Sequence, residues 1–394
     1  MKAELKALTM PGGWTAAIYQ KWEFPPEVIE AWDGIARSYG DMGIFISYGW
    51  FASWWQAFGS NEKLFVVVLL KDGQTKAIFP CCLKTGTSDG LRGEYISSLT
   101  NDHTCYYDFI IDPAVRPAVL SHFIHSLKKI YPDAQMYFEY MPTSNENATL
   151  LLTELNINRM PVHKYSEAWA PWTEVPGNIT SFYAELPGRL RNTLRRCRKT
   201  AEAKGRLDFE VIEKIKQLDD ILDVLFEIEY NSWKGKNGTA IKCQKEVEYF
   251  YRLLAHWAMK CNHLVLFFLR LNNEPIAASF CLHSGQTIFL LKPGYHESFA
   301  HLSPGNLLQY EILKNLTKWP QIKEYNFLGA CDPWKLEWTR NSRAMGFVRA
   351  YPNSFRGWSD YTFKYGWKNV LGRFHAVQML KAWIGKEKNQ NHAA

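Results

Sequence analysis

The stretch "LVLFFLRLNNEPIAASFCL", residues 264–282, is an apolar run, an asparagine pair and a second apolar run ending near a cysteine. Asparagine tolerates positive φ, so a pair of them between apolar runs is a tight β-hairpin signal. Far earlier, "LFVVVLLKDGQTKAIFPCCL" (residues 64–83) repeats the plan, with Asp72-Gly73 at the turn. A helical, tryptophan-bearing segment precedes each: "WFASWWQAF" at 50–58 and "YFYRLLAHWA" at 249–258. Two copies are too few for a solenoid, so the pattern predicts a duplicated α+β unit. The alternative is two unrelated hairpins in one mixed fold.

Beyond the second hairpin, "TIFLLKPGY" (287–295) reads as a further strand, with Pro293-Gly294 expected to end regular pairing. "SFAHLSPGNLLQYEILKNLTKW" (298–319) then carries Leu308, Ile312 and Leu316 at helical spacing. Ser303 is expected to cap this helix through its hydroxyl. Pro304 suits the first helical position. Gly305, followed by Asn306, removes the side chain that keeps a ligand off the backbone. A bare helix start attracts anions, although capping alone accounts for the same residues. A short strand, "EYNFLGA" (324–330), completes a layout in which phosphates can lie at the helix start.

The 394 residues suffice for two domains, and 47% hydrophobic with 22% charged residues is the balance of a packed soluble protein. Apolar runs such as 64–70 are too short to span a bilayer. No charged segment followed by an apolar one opens the sequence, so no secretion signal is expected. The eight cysteines show neither CxxC nor zinc spacing, which predicts no metal and a reducing, cytoplasmic setting.

The net charge of +7 is concentrated. Residues 189–206 hold eight basic side chains against Glu202 alone, leaving the remainder formally neutral. Such a segment points to a local anion site and away from a nucleic-acid partner. Leu186, Leu190, Leu194, Cys197 and Ala201 form its apolar stripe, and Gly205 is expected to end the helix. Arg195 and Arg198 are candidates for meeting donor phosphates, an acidic carrier protein or RNA; the alternative is a solvated face. The expected units are residues 1–165 and 166–360, with "APWTEVPGNIT" (170–180) as connector. Residues 361–394 are expected to form a helix, to about residue 385, and a disordered polar tail.

Five runs carry a resemblance: "LPGRLRNTLRRCRKTAEAKGRLDFEVI" (186–212), "SWKGKNGTAI" (232–241), "PIAASFCL" (275–282), "LLKPGYHESFAHLSPGNLL" (290–308) and "YNFLGACDPWKLEW" (325–338). Together they resemble the GNAT-fold acyltransferases of the CelD/BcsL type, a FemABX-related group that includes tandem proteins. "FISYGWFASWWQAFG" (45–59) and the first hairpin resemble it more weakly. The resemblance implies an α+β fold of two tandem GNAT-like units, each a mixed, mostly antiparallel sheet flanked by helices, with the donor in the second. It implies acyl transfer from a coenzyme A or carrier-protein phosphopantetheine thioester to an amine of a small molecule, sugar or peptide. The pyrophosphate loop Q/R-x-x-G-x-G/A is replaced by "HLSPGN" (301–306), and Asn326 stands where relatives often carry aspartate. Two rivals remain: a FemABX-like transferase using charged tRNA, and a non-catalytic GNAT-like binding module.

The implied chemistry needs a neutral amine, a donor for the thioester oxygen, and close positioning. In this fold that donor is commonly a backbone amide on a splayed strand, here Leu291 or Lys292. Asp332 is a candidate base or amine anchor, with Lys335 as an orienting charge on the same helical face; a surface ion pair is the alternative. In "SLTNDHTCYYDFII" (98–111), His103 could accept the amine proton, with Asp102 beside it. Trp233 and Lys234 are candidates for lining an acceptor cleft, the alternative for the tryptophan being packing.

Overall fold

The computed structural model describes residues 6–88, 91–213 and 216–366. The first half supplies strands β1 (Lys6–Met10), β2 (Trp14–Tyr19), β3 (Lys63–Lys71), β4 (Gln74–Ser88), β5 (Leu91–Ser98), β6 (Ile110–Ile111), β7 (Gln135–Met141) and β8 (Val162–Glu174). The second supplies β9 (Leu207–Ile212), β10 (Leu264–Leu271), β11 (Glu274–Ser284), β12 (Thr287–Tyr295), β13 (Glu324–Asn326) and β14 (Asn341–Ala350). Both expected hairpins form, β3–β4 and β10–β11. Asp72, Gly73, Asn272 and Asn273 all take positive φ, the mirror-image turn that matches strand twist.

The halves repeat one course. In each, four antiparallel strands (β2–β5, β9–β12) lead into a crossover helix and a fifth strand parallel to the fourth. Those helices are Arg116–Ile130 and Pro304–Leu316. The sixth strands are exchanged: β8 pairs with β13 of the second half, β14 pairs with β7 of the first, and the two pair with each other. One continuous sheet results, and the 165/166 boundary falls inside β8. The expected connector at 170–180 is therefore strand as far as Glu174, because β13 and β14 pair with it on both edges.

The two tryptophan-bearing helices, Tyr48–Phe58 and Lys245–Lys260, pack on one another. A side chain at Gly49 would lie 1.9 Å from the Trp257 indole nitrogen, so the close approach requires glycine there. Asp41 adds a polar tie across the halves, accepting from the Gln286 amide (3.0 Å) and the Thr287 hydroxyl (2.7 Å). One hydrophobic core spans the first half and the adjoining face of the second. Another lies between the second half's part of the sheet, the second crossover helix and the basic helix Gly188–Lys204. No helix among the described residues is long and apolar enough to cross a membrane. A helix runs over Phe355–Tyr361 and a further turn over Thr362–Gly366; the rest of the expected C-terminal helix and the polar tail, residues 367–394, lie outside the described residues.

Candidate active site

Strand β12 sets the geometry. Phe280 faces Lys292 but Cys281 faces Leu290, so Leu291 is an extra residue in a β-bulge. Pairing with β13 stops at Phe289, and beyond it the parallel strands part. Contrary to expectation, Pro293 and Gly294 do not end the ladder with β11, which runs on to Tyr295. The Pro293 carbonyl instead accepts from Lys234 Nζ at 2.7 Å. A strand residue's nitrogen and carbonyl share a side, so proline's missing donor also points away from β11, where the parted β13 needs no hydrogen bond.

Ser303 departs from the capping role. It sits in the left-handed region (φ 50°, ψ 49°), and its side chain caps nothing. Its hydroxyl accepts from Asn306 Nδ2 at 3.3 Å instead. Pro304 has no donor, and the Gly305 and Asn306 amides find no acceptor among the described residues, leaving the helix start barer than a capped one. An added Gly305 side chain would meet only the Tyr295 ring, at 3.6 Å, so the glycine leaves space.

A cavity of about 340 Å³ opens here, lined by Trp233, Lys234, Gly294, Tyr295, residues 303–306 and Trp334. Its floor is a buried polar chain in which Tyr325 donates to Gln309 (2.7 Å) and Gln309 to Ser279 (3.5 Å). Lys234 is fixed by Glu229 at 2.9 Å, and Glu229, 1% exposed, also accepts from the Ile241 amide. Glu229 is not among the residues expected from the sequence, where its one signal is an acid on the apolar stripe of Leu222, Leu225 and Phe226. Trp233, half exposed, lines the mouth.

The basic helix packs against the approach to this helix start. Arg189, Arg195, Arg196 and Lys199 are exposed. Arg198 is not free: it pairs with Glu311 and Glu202 and lies over the Tyr310 ring.

Across the bulge, toward the first half, charged and nucleophilic groups converge. Lys292 Nζ lies 5.3 Å from the Tyr251 ring centroid, with no ion-pair partner among the described residues. Burial, then the Lys234 charge, push its pKa down. His103 stacks on Phe58 and meets Tyr251 edge-on. Burial, reinforced by Lys292, pushes its pKa down to about 4. Its imidazole is therefore neutral throughout pH 5–8, not titrating there as a solvated histidine does. Lys292 and Lys335 both exert their charge on Cys105, whose thiol burial holds up at about 12. Asp102 is exposed and acts electrostatically on Tyr140.

Asp332 and Lys335 do share a face, paired at 2.9 Å. Lys335 Nζ also donates to the Leu328 (2.8 Å) and Ala330 (3.0 Å) carbonyls. It clamps the loop after β13, where Leu328 and Gly329 take positive φ. Among the described residues no group of histidine, cysteine and carboxylate side chains could hold a metal ion.

Residues 188–336 match the family model described as the acetyltransferase (GNAT) domain. No curated protein matches the chain significantly. In fold the chain is similar to FemX: TM-score 0.54, 12% identity, covering 82% of this chain and 96% of that one. It is also similar to a C-terminal domain assigned to a lysylphosphatidylglycerol synthetase from Agrobacterium fabrum (TM-score 0.50, 13% identity, 86% and 96% covered). A tandem GNAT protein from the clavulanic acid biosynthesis pathway aligns at TM-score 0.47 and 10% identity, with 86% and 99% covered. With its repeated strand course, the chain has the fold of two tandem GNAT-like units, and its second half matches the acetyltransferase (GNAT) domain model over residues 188–336.

Proposed function

We propose that the protein is an N-acyltransferase that takes an acyl group from a coenzyme A or carrier-protein thioester and delivers it to an amine. One observation carries this: the uncapped helix start and the stretch of β12 just beyond its bulge line one cavity in the second half. In this reading the Gly305 and Asn306 amides hold donor phosphate, assisted by the helix dipole and by the exposed arginines nearby. The acyl arm passes between β12 and β13, and the thioester oxygen meets the backbone at Leu291 or Lys292. The amine nitrogen attacks the carbonyl carbon, the C–S bond breaks, and the thiolate leaves. The amine proton passes to a base.

His103 suits that base in being neutral, and the Lys292 charge nearby discourages the imidazolium that would form. Asp332 is the second candidate, half exposed and paired with Lys335. Trp233 and Lys234 then border the donor, and the acceptor enters from the first half near Asp102. The setting is a reducing, cytoplasmic one, as the cysteine usage suggests.

The test is release of free thiol from acyl-coenzyme A and acyl-carrier thioesters in the presence of amines. Thiol released in step with acylated amine supports the proposal, and no release from either donor class contradicts it. The exposed basic face favours a second reading, in which charged tRNA is the donor. Aminoacyl transfer from charged tRNA without any thioester would select it.

A further inference from the structure

The exchanged strands create a second cavity, of about 270 Å³, where β7, β14 and β8 lie side by side. Its walls are largely aromatic. Tyr165 stacks on Phe347 with centroids 5.5 Å apart, and Tyr140 meets Trp169 edge-on at 6.1 Å. Two carboxylates face the same space. Glu139 accepts from the Tyr137 hydroxyl, and Glu167 from the Tyr165 hydroxyl at 3.0 Å. Neither carboxylate is ion-paired among the described residues, and each oxygen pair retains accepting capacity.

The cavity adjoins the reaction region. Trp169 bridges backbone to backbone with Ala330, in the loop that Lys335 clamps. Tyr140, held at φ 55°, is subject to the charges of Asp102, next to His103 in the chain, and of Glu139. Aromatic faces and unpaired carboxylates around one space are complementary to an organic ammonium ion, through cation–π attraction and charge-assisted hydrogen bonds. The chain's positive excess lies on the basic helix instead, so the anionic donor and a cationic ligand have separate, complementary surfaces.

We propose that this seam cavity binds an ammonium group of the acceptor, and that this ammonium is not the nitrogen that is acylated. Two carboxylates stabilise the protonated amine, whereas attack on a thioester requires a neutral one. The acceptor is therefore a diamine: one nitrogen stays charged between Glu139 and Glu167 while the other reaches the bulge. The proposal rests on the N-acyltransferase reading for the second nitrogen's fate, but the binding itself is measurable without catalysis.

The experiment is calorimetric titration of the full chain with unbranched α,ω-diamines of three to six carbons, each against the uncharged diol of the same length. At least one diamine is expected to bind about tenfold or more tightly than its diol. The double variant Glu139→Gln, Glu167→Gln, which keeps an acceptor for each tyrosine, is expected to erase that preference with an unchanged melting curve and unchanged donor binding. If no diamine exceeds its diol, or if the double variant keeps the preference, the proposal is overturned. Diamine binding by a protein that transfers no acyl group would leave this site standing and the transferase reading fallen.

Discussion

The two halves follow one strand course but differ where the crossover helix starts, and in the second a cavity lies there. In the first, β5 pairs with β4 without a register break. The turn before its crossover helix is capped, with the Asp112 carboxylate accepting from the Ala114 amide at 3.0 Å. The chain between β5 and that helix is packed about Asp108, which accepts from Tyr106, Asn145, Asn147 and the Phe109 amide. In the second half, one extra strand residue and an uncapped Pro-Gly-Asn start leave a cavity at the equivalent place. Duplication preserves the scaffold, and on the proposed function the inserted strand residue and the bare Pro-Gly-Asn start fit the second copy for the donor.

The largest expected effect breaks the open half. Glu229→Ala strands the Lys234 ammonium and the Ile241 amide in a buried wall. Removing one partner of such a pair costs about 3–5 kcal/mol. Chemical denaturation should show that loss, and donor binding should fall with it; a stability change under about 1 kcal/mol would mean the wall does not depend on this pair.

Asp108 tests the closed half. Burial raises its pKa to about 6, against the opposing hydrogen bonds from Asn147 and its other donors. A folded-state pKa above the unfolded value, near 4, means stability fully present below about pH 4 and lost as pH rises through about 6. Asp108→Asn should remove this part of the pH dependence of melting, and an unaltered dependence between pH 4 and 6 would show that the carboxyl is not so held.

Much of this was legible in the sequence and some could not be. The hairpins declared themselves because Asp72-Gly73 and Asn272-Asn273 suit positive φ between apolar runs. The exchange of β8 and β14 did not, since a strand's side-chain pattern says which face is buried and nothing about its neighbour. Ser303 was misread because a residue suited to capping can sit in a left-handed turn and offer no cap. The shift at His103 arises from Phe58, Tyr251 and Lys292, which are distant in sequence.

A smaller effect concerns the region between the halves. With imidazole held near 4, His103→Ala should remove an inflection near pH 4 from the rate profile and leave its shape between pH 5 and 8 unchanged. Loss of an inflection near pH 6.5 would instead mean that His103 is solvated. Smallest is the basic face. Arg195→Glu should weaken donor binding a few-fold at low salt and little at high salt, because exposed charges are screened. An effect independent of salt would point to a structural role.

The central claim, that the second half alone holds the donor, is tested most directly by titrating acetyl-coenzyme A into three proteins: the native chain, Gly305→Val and Ala114→Val. The native chain and Ala114→Val, altered at the closed crossover, should bind alike. Gly305→Val should bind at least about tenfold more weakly with an unchanged melting curve, since its side chain fills the space over the bare amides. Equal binding by all three, or a loss confined to Ala114→Val, would contradict the assignment.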